Sequence, residues 1–106
     1  MTEQGGSGDR PARLDTVVRG RVQGVGFRYF VAHRAFAAGL LGWVANEPDG
    51  SVRCVAEGPR EVLEGLLAEL RQGPPGADVR SVDVRWGPPS GTVTTFGIRS
   101  GGHRGD

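Results

Sequence analysis

The residues best suited to chemistry form the stretch Gly20-Arg-Val-Gln-Gly-Val-Gly-Phe-Arg28. Glycine lacks a Cβ, so Gly24 and Gly26 can adopt dihedral angles that turn several backbone N–H groups toward one point. A helical pattern begins at Phe27, and a helix start adds unpaired N–H groups and the positive end of the dipole. Arg28 adds a permanent charge with a planar set of donors. The stretch therefore predicts a seat for an anion of phosphate size.

The commoner phosphate-binding loops do not fit this stretch. A nucleotide P-loop has the pattern G-x-x-x-x-G-K-S/T, but all 13 basic residues of this chain are arginine, so its lysine is absent. A dinucleotide fingerprint needs G-x-G-x-x-G, and Tyr29 occupies the position of the third glycine. The alternative to a phosphate seat is an ordinary strand-to-helix turn, in which Arg28 is a solvated helix residue.

Asn46 is the second residue that could take part in chemistry. It ends a predicted strand and precedes Pro48-Asp49-Gly50, which has the composition of a hairpin turn. An asparagine at such a place often only caps the turn. If the first two strands run parallel, however, their ends meet at one edge of the sheet. Asn46 then lies opposite the anion seat, where its amide could hold a water.

The patterns around these residues predict five strands and two helices. The first helix spans about Phe27–Ala38 and the second about Arg60–Arg71. The strands are Leu14–Val22, Leu40–Glu47, Ser51–Glu57, Val79–Trp86 and Thr92–Arg99. The order predicts an α+β fold, the ferredoxin-like βαββαβ sandwich with an extra C-terminal strand. Both helices should cover one face of a mostly antiparallel sheet.

Length and composition favour one small domain over residues 14–99. Residues 1–13 and 100–106 are rich in glycine and in polar or charged residues, and are predicted to be a disordered leader and tail. The formal net charge of +1 gives no broad attraction to nucleic acid or to an acidic membrane. The single Cys54 rules out an internal disulfide and suits a reducing cytosol, so we expect a cytoplasmic protein.

Other residues carry weaker signals. His33 falls inside a helix and His103 in the tail, so neither a general-base pair nor a metal-ligand spacing is visible. Cys54 alternates with core positions and should be packed. Trp43 and Trp86 are expected in the core. The sequence shows no patch of basic and aromatic residues of the kind that binds RNA.

Two motifs together resemble the signatures of the acylphosphatase family. The first is the stretch from Gly20 to Arg28. The second is Gly42-Trp-Val-Ala-Asn46, followed by Pro48-Asp-Gly50. Their order and spacing, and the helices and strands around them, agree with that family over nearly all of residues 14–99. The resemblance implies hydrolysis of the carboxyl–phosphate bond of acyl phosphates, which yields a carboxylate and inorganic phosphate.

The resemblance also implies roles for individual residues. Arg28 would bind the phosphate, Asn46 would orient the attacking water, and backbone amides would complete the phosphate site. Those amides belong to Gln23, Gly24, Val25, Gly26, Phe27 and Arg28. We expect an enzyme that uses no metal or other cofactor and acts as a monomer on a small-molecule acyl phosphate. We expect it to bind neither nucleic acid nor membrane.

Two alternatives remain open. The same fold and phosphate seat could serve a domain that binds phosphate or acyl phosphates without hydrolysing them. The chain could also be a stand-alone relative of the acylphosphatase-like domain of hydrogenase-maturation carbamoyltransferases, although its length favours an independent enzyme. The presence of both Arg28 and Asn46 favours an enzyme over a binding domain.

Overall fold

The computed structural model describes residues 10–100, and the two layers of the predicted α+β sandwich are present. The elements are β1 (Pro11–Arg21), α1 (Phe27–Ala37), β2 (Leu41–Asn46), β3 (Val52–Pro59), α2 (Arg60–Gln72), β4 (Asp78–Gly87) and β5 (Phe96–Arg99). This order confirms the ferredoxin-like plan with one extra strand. The predicted disordered leader and tail fall mainly on residues 1–9 and 101–106, which lie outside the described residues. Within residues 10–100, no helix is long and apolar enough to cross a membrane.

The sheet has the order β4-β1-β3-β2-β5. β1 pairs antiparallel with β3 and β4, β2 pairs antiparallel with β3, and only the β2–β5 pair is parallel. Because β1 and β2 both run opposite to the strand between them, they are parallel to each other. Val52 pairs with Val18 on one side and with Asn46 on the other. The loop after β1 and the end of β2 therefore lie at one edge of the sheet, as predicted.

Both helices pack on one face of the sheet, and the hydrophobic core lies between the two layers. The buried residues of the helices are Phe27, Val31 and Ala35 in α1 and Leu63, Leu66 and Leu70 in α2. They pack with the inward-facing strand residues, which include Leu14, Val18, Val44, Val52, Cys54 and Ala56. Each buried aliphatic or aromatic side chain contributes about 1.5–3 kcal/mol to folding. This core holds the strand ends in fixed positions at the candidate site.

Three strands extend beyond their predicted ends, namely β1, β3 and, by one residue at each end, β4, whereas β5 begins at Phe96 instead of the predicted Thr92. β1 begins three residues early, and β3 continues through Gly58 and Pro59, beyond its predicted end at Glu57. The extensions of β1 and β3 pair with each other, because Pro11 lies opposite Pro59 and Ala12 lies opposite Gly58. β2 stops opposite Glu57, so this end of β3 has a ladder neighbour on one side only. Proline, which lacks an N–H, is tolerated where only one ladder must be satisfied.

The two tryptophans are not core residues in the way that the sequence suggests. Trp43 is half-buried on the sheet face away from the helices, where the guanidinium carbons of Arg53 and Arg99 lie 5.4 and 4.5 Å from its ring centre. Trp86 borders the core and is covered by Arg60 at 3.7 Å. Arginine stems can cover aromatic rings while the charges stay in water. The alternation of apolar and polar residues along a strand shows which side chains share a face of the sheet. It does not show which of the two faces the helices cover.

Candidate active site

The loop between β1 and α1 has the backbone that its glycines predict. Gly24 has φ 75° and Gly26 has φ 79°, in the left-handed region that residues with a Cβ rarely adopt. A Cβ built at either position would meet nothing within 4 Å. The dihedral angle, rather than lack of space, therefore requires glycine here.

The first turn of α1 presents backbone donors beside this loop. Gly26 is the N-cap residue and has no side chain that could cap the turn, and the first turn contains no acidic residue. The hydrogen bond from Phe30 N–H to the Gly26 carbonyl (3.0 Å) begins the ladder of the helix. The N–H groups before it have no intrahelical acceptor. With the positive end of the helix dipole, they make this end of α1 suitable for an anion.

Arg28 reaches toward the same edge of the sheet. Its Nη1 donates a hydrogen bond to the backbone carbonyl of Arg99 at 3.2 Å. Arg99 pairs with Ala45, the neighbour of Asn46 in β2. The end of β5 therefore holds the guanidinium near the end of β2.

Asn46 is the last residue of β2 and is 3% exposed. Its position is fixed by the ladder with Val52, and the turn that follows places it at the edge where β1 ends. The structure thus brings the glycine loop, Arg28 and Asn46 to one edge of the sheet, in the arrangement that the sequence predicts. A buried amide at this place can both donate and accept hydrogen bonds.

The side chain of Gln23 has a contact that the sequence does not predict. Its Nε2 donates to the carbonyl of Glu47 at 2.8 Å and to the carbonyl of Ser51 at 2.9 Å. These carbonyls belong to the hairpin that follows Asn46, and Glu47 N–H also bonds to Ser51 O at 2.8 Å. The Gln23 amide therefore ties the glycine loop to the β2–β3 hairpin. No local sequence pattern predicts this contact, because both acceptors are backbone carbonyls.

The hairpin turn is stiffened by Asp49. Its Oδ1 accepts hydrogen bonds from the hydroxyl of Ser51 at 2.6 Å and from the N–H of Ser51 at 2.9 Å. These two bonds, with a weaker contribution from Arg19, hold the pKa of Asp49 below its usual value. The carboxylate stays ionised at neutral pH and fixes the turn that follows Asn46.

The other candidate side chains do not join this edge. His33 is exposed on α1, and Cys54 is buried in β3. Burial is the main cause that raises the pKa of the Cys54 thiol to about 12, so it is a poor nucleophile in the folded protein. Within residues 10–100, no group of three or more His, Cys, Asp and Glu side chains is arranged to hold a metal ion.

A separate depression of about 730 Å³ lies on the sheet face away from the helices. Arg53 and Asp15 line it and pair with each other through two hydrogen bonds of 3.1 and 2.7 Å. Arg19 and Asp83 form a second pair there at 3.4 Å. These charges are already paired within the chain, whereas the N–H groups at the start of α1 have no acceptor within the helix and no side-chain cap. We therefore place the candidate site at the loop.

Known proteins resemble this chain in both sequence and fold. The sequence model of the acylphosphatase family matches residues 14–98. An acylphosphatase from Salinibacter ruber is 46% identical over 87 residues, which cover 82% of this chain and 92% of that protein. One from Thermus thermophilus is 53% identical over 74 residues, covering 70% and 84% of the two chains. The crystal structure of acylphosphatase from Bacillus subtilis has a TM-score of 0.80 at 38% identity, covering 83% and 98%.

Proposed function

The chain belongs to the acylphosphatase family and hydrolyses acyl phosphates, and we propose that Arg28, Asn46 and the loop amides carry out this reaction. The observation that supports these roles is the convergence of the glycine loop, Arg28 and Asn46 at one edge of the sheet. The acyl phosphate is a small-molecule substrate whose phosphate group would fill the loop.

The phosphate would be held by backbone donors and by one guanidinium. The N–H groups of residues 23–28 would surround a phosphate bound in front of Gly24 and Gly26. Arg28, held by the Arg99 carbonyl, supplies a charge that is not lost at any ordinary pH. Together these groups would stabilise the charge on the equatorial phosphate oxygens in the transition state, where phosphoryl transfer needs it.

Asn46 would hold the attacking water. In-line displacement requires the water oxygen, the phosphorus and the leaving oxygen to be roughly collinear. Asn46 is almost fully buried and sits on a hydrogen-bonded strand, so its amide has little freedom. An amide oxygen can accept a hydrogen bond from the water and thereby fix the direction of its lone pair.

The leaving group explains why so few side chains are needed. As the water oxygen bonds to phosphorus, the bond from phosphorus to the acyl oxygen breaks and the acyl group leaves as a carboxylate. The conjugate acid of a carboxylate has a pKa of about 4, so no general acid is required. The proton of the water passes to a phosphate oxygen of the substrate. Positioning and charge stabilisation then supply most of the catalysis.

We further propose that the enzyme is a cytoplasmic monomer that requires no metal ion or cofactor. The free, buried thiol of Cys54 suits a reducing compartment. Arg28 and the loop amides supply the positive charge that a metal would otherwise bring. A net charge of +1 favours neither nucleic acid nor an acidic membrane as a partner.

Phosphate release from benzoyl phosphate in the presence of a chelator tests these roles. Arg28→Ala should raise KM and lower kcat, because it removes a contact made in both ground and transition states. Asn46→Ala should mainly lower kcat, by about 100-fold or more, because it removes the group that positions the water. The matched control is Arg34→Ala, since Arg34 lies on the same helix and pairs with Glu69 at 3.2 Å.

An unchanged kcat in Asn46→Ala would refute the water-positioning role. A wild-type protein that binds inorganic phosphate but leaves benzoyl phosphate intact would instead be the non-catalytic binding domain. Activity that disappears with the chelator and returns with a divalent ion would refute metal independence.

A further inference from the structure

Tyr29 is an exposed aromatic residue beside the proposed phosphate site. It follows Arg28 in the first turn of α1, and 72% of it is exposed. The buried stripe of α1 contains Phe27, Val31 and Ala35. Because a helix turns by about 100° per residue, Tyr29 lies on the side away from that stripe. Single exposed aromatic residues are common, so the position of Tyr29, rather than its exposure, carries the inference.

The direction of the Tyr29 side chain follows from helix geometry. Cα–Cβ bonds in a helix tilt toward its N-terminus, so a side chain covers the surface before its own Cα. For Tyr29 that surface is the start of α1 and the glycine loop. The tilt therefore directs the ring toward the end of α1 at which the glycine loop lies.

A second exposed apolar residue lies next to the residue that accepts the hydrogen bond from Arg28. Ile98 is 38% exposed and directly precedes Arg99, whose carbonyl accepts the hydrogen bond from Arg28. Ile98 pairs with Val44 and lies two residues after Phe96, and both of these side chains face the helix layer. Ile98 thus borders the same edge beneath α1. Arg28 is followed in the chain by an exposed aromatic residue, and its acceptor Arg99 is preceded by an exposed aliphatic one.

The proposed reaction geometry directs the acyl group toward this rim. Water and acyl oxygen must lie on opposite sides of the phosphorus. Asn46, which holds the water, is 3% exposed and lies on the buried side. The acyl oxygen therefore points toward solvent, where the apolar atoms of Tyr29 and Ile98 are available.

We propose that Tyr29, assisted by Ile98, forms the contact surface for the acyl group of the substrate. The enzyme then prefers acyl phosphates with an aromatic or long aliphatic acyl group over acetyl phosphate. This inference rests on the proposed roles of Arg28 and Asn46, because they determine where the acyl group points. An offset-stacked aromatic pair contributes enough to change affinity by about three- to tenfold.

The test compares kcat/KM for benzoyl phosphate and acetyl phosphate in wild type and in three variants. Tyr29→Ser should lower the benzoyl-to-acetyl ratio by about three- to tenfold, mainly through KM for benzoyl phosphate. Tyr29→Phe should keep the ratio, because the ring remains. Phe36→Ser is the matched control, since Phe36 is 70% exposed on the same helix but lies about 10 Å further along its axis. It should also keep the ratio.

Inorganic phosphate serves as the probe that lacks an acyl group. Its inhibition constant should stay within about twofold in Tyr29→Ser, because the variant leaves Arg28 and the loop amides in place. The proposal would be overturned if Tyr29→Ser left the benzoyl-to-acetyl ratio of kcat/KM unchanged. It would also be overturned if the variant bound inorganic phosphate clearly more weakly than wild type. A wild type that hydrolyses neither substrate would refute the proposed function itself, whereas normal hydrolysis with an unaltered ratio refutes only the role of Tyr29.

Discussion

Gln23 shows how one side chain can join two parts of a site that are distant in sequence. Its amide spans from the glycine loop to two carbonyls of the β2–β3 hairpin at 2.8 and 2.9 Å. Glycine-rich loops lose much conformational freedom on folding and need such contacts to hold one shape. We infer that this bridge sets the distance between the bound phosphate and Asn46.

We expect Gln23→Met to lower kcat for benzoyl phosphate by about tenfold while leaving phosphate inhibition within about threefold. Methionine has a similar length but cannot donate a hydrogen bond. The loop therefore keeps its backbone amides but is no longer held in a fixed position relative to the hairpin. The free energy of unfolding should fall by about 1–2 kcal/mol, because two hydrogen bonds are lost. Steady-state kinetics and urea denaturation measure both effects.

A double-mutant cycle separates positioning from general damage. If Gln23 acts through Asn46, adding Gln23→Met to Asn46→Ala should change kcat little. Additive losses would contradict the proposed coupling. Gln72→Met, at the exposed end of α2, provides the control for the glutamine-to-methionine exchange itself.

The sequence predicts Arg28 and Asn46 as candidate site residues but not the role of the Gln23 side chain. Arg28 and Asn46 stand at the ends of recognisable elements, and the parallel course of β1 and β2 brings them together. The acceptors of Gln23 are backbone carbonyls 24 and 28 residues away. Carbonyls have no sequence signature, and their positions depend on the hairpin register.

At the scale of elements, Glu57 fastens the long connection between β4 and β5. These strands lie at opposite edges of the sheet, so their connection must cross the end of the other three. Glu57 is 4% exposed and accepts hydrogen bonds from the Ser90 hydroxyl (2.7 Å), Ser90 N–H (3.0 Å) and Gly91 N–H (3.2 Å). Arg13 adds an ion pair at 2.7 Å. The crossing segment is thereby held against β3.

This arrangement predicts a loss of stability in acid. Burial alone would raise the pKa of Glu57, but the hydrogen bonds from Ser90, Arg13 and Gly91 outweigh it and lower the pKa to about 2 from 4.5. Because the folded pKa is the lower one, the stabilisation is present above pH 4.5 and is lost as pH falls toward 2. We expect the difference in unfolding free energy between wild type and Glu57→Gln to be roughly 1–2 kcal/mol at pH 7 and to shrink below pH 4.5.

Urea denaturation at several pH values measures this difference. Glu64→Gln is a suitable control, because Glu64 is exposed on α2 and pairs only with Arg60 in the i,i+4 position, at 3.2 Å. Its effect should be small at every pH. A Glu57→Gln difference that stays constant down to pH 2 would show that the carboxylate charge is not what holds the segment.

Element boundaries and buried faces show where the sequence is insufficient. Local patterns predict all seven elements, yet Pro59 belongs to β3 because Pro11 pairs with it from the far end of β1. Trp43 has the alternation of a buried residue but lies under two arginines on the open face. Both outcomes depend on contacts with strands or side chains that are distant in sequence. Local sequence patterns do not encode such contacts.

At the scale of the whole molecule, charge pairs among residues 10–100 lie across the sheet face away from the helices. Arg53 pairs with Asp15 at 2.7 Å, and Arg19 lies 3.3 Å from Asp49 and 3.4 Å from Asp83. Such partly exposed pairs add little stability individually. Because charged residues are depleted at the centre of stable subunit interfaces, the charges on this face support the proposed monomer.

Cys54 lies at the centre of this architecture. It is fully buried in β3, the middle strand of five, and the hydroxyl of Thr16 donates to its carbonyl at 2.9 Å. Its thiol has a pKa raised to about 12, chiefly by burial. A disulfide reagent needs an exposed thiolate, so reaction at Cys54 requires the central strand to be uncovered.

Thiol labelling at Cys54 should therefore report global unfolding and its coupling to the proposed phosphate site. We expect labelling at pH 8 to be slower than in the urea-unfolded chain by about 10³-fold or more, since the opened state is rare. Inorganic phosphate at about 100 times its Kd should slow it by a further factor of about 100, because binding to the folded state alone stabilises it by about 2.7 kcal/mol. In Arg28→Ala the same phosphate concentration should protect much less. Rapid labelling at a rate independent of phosphate concentration would show that β3 opens locally. The sheet would then not unfold as one cooperative unit with the site.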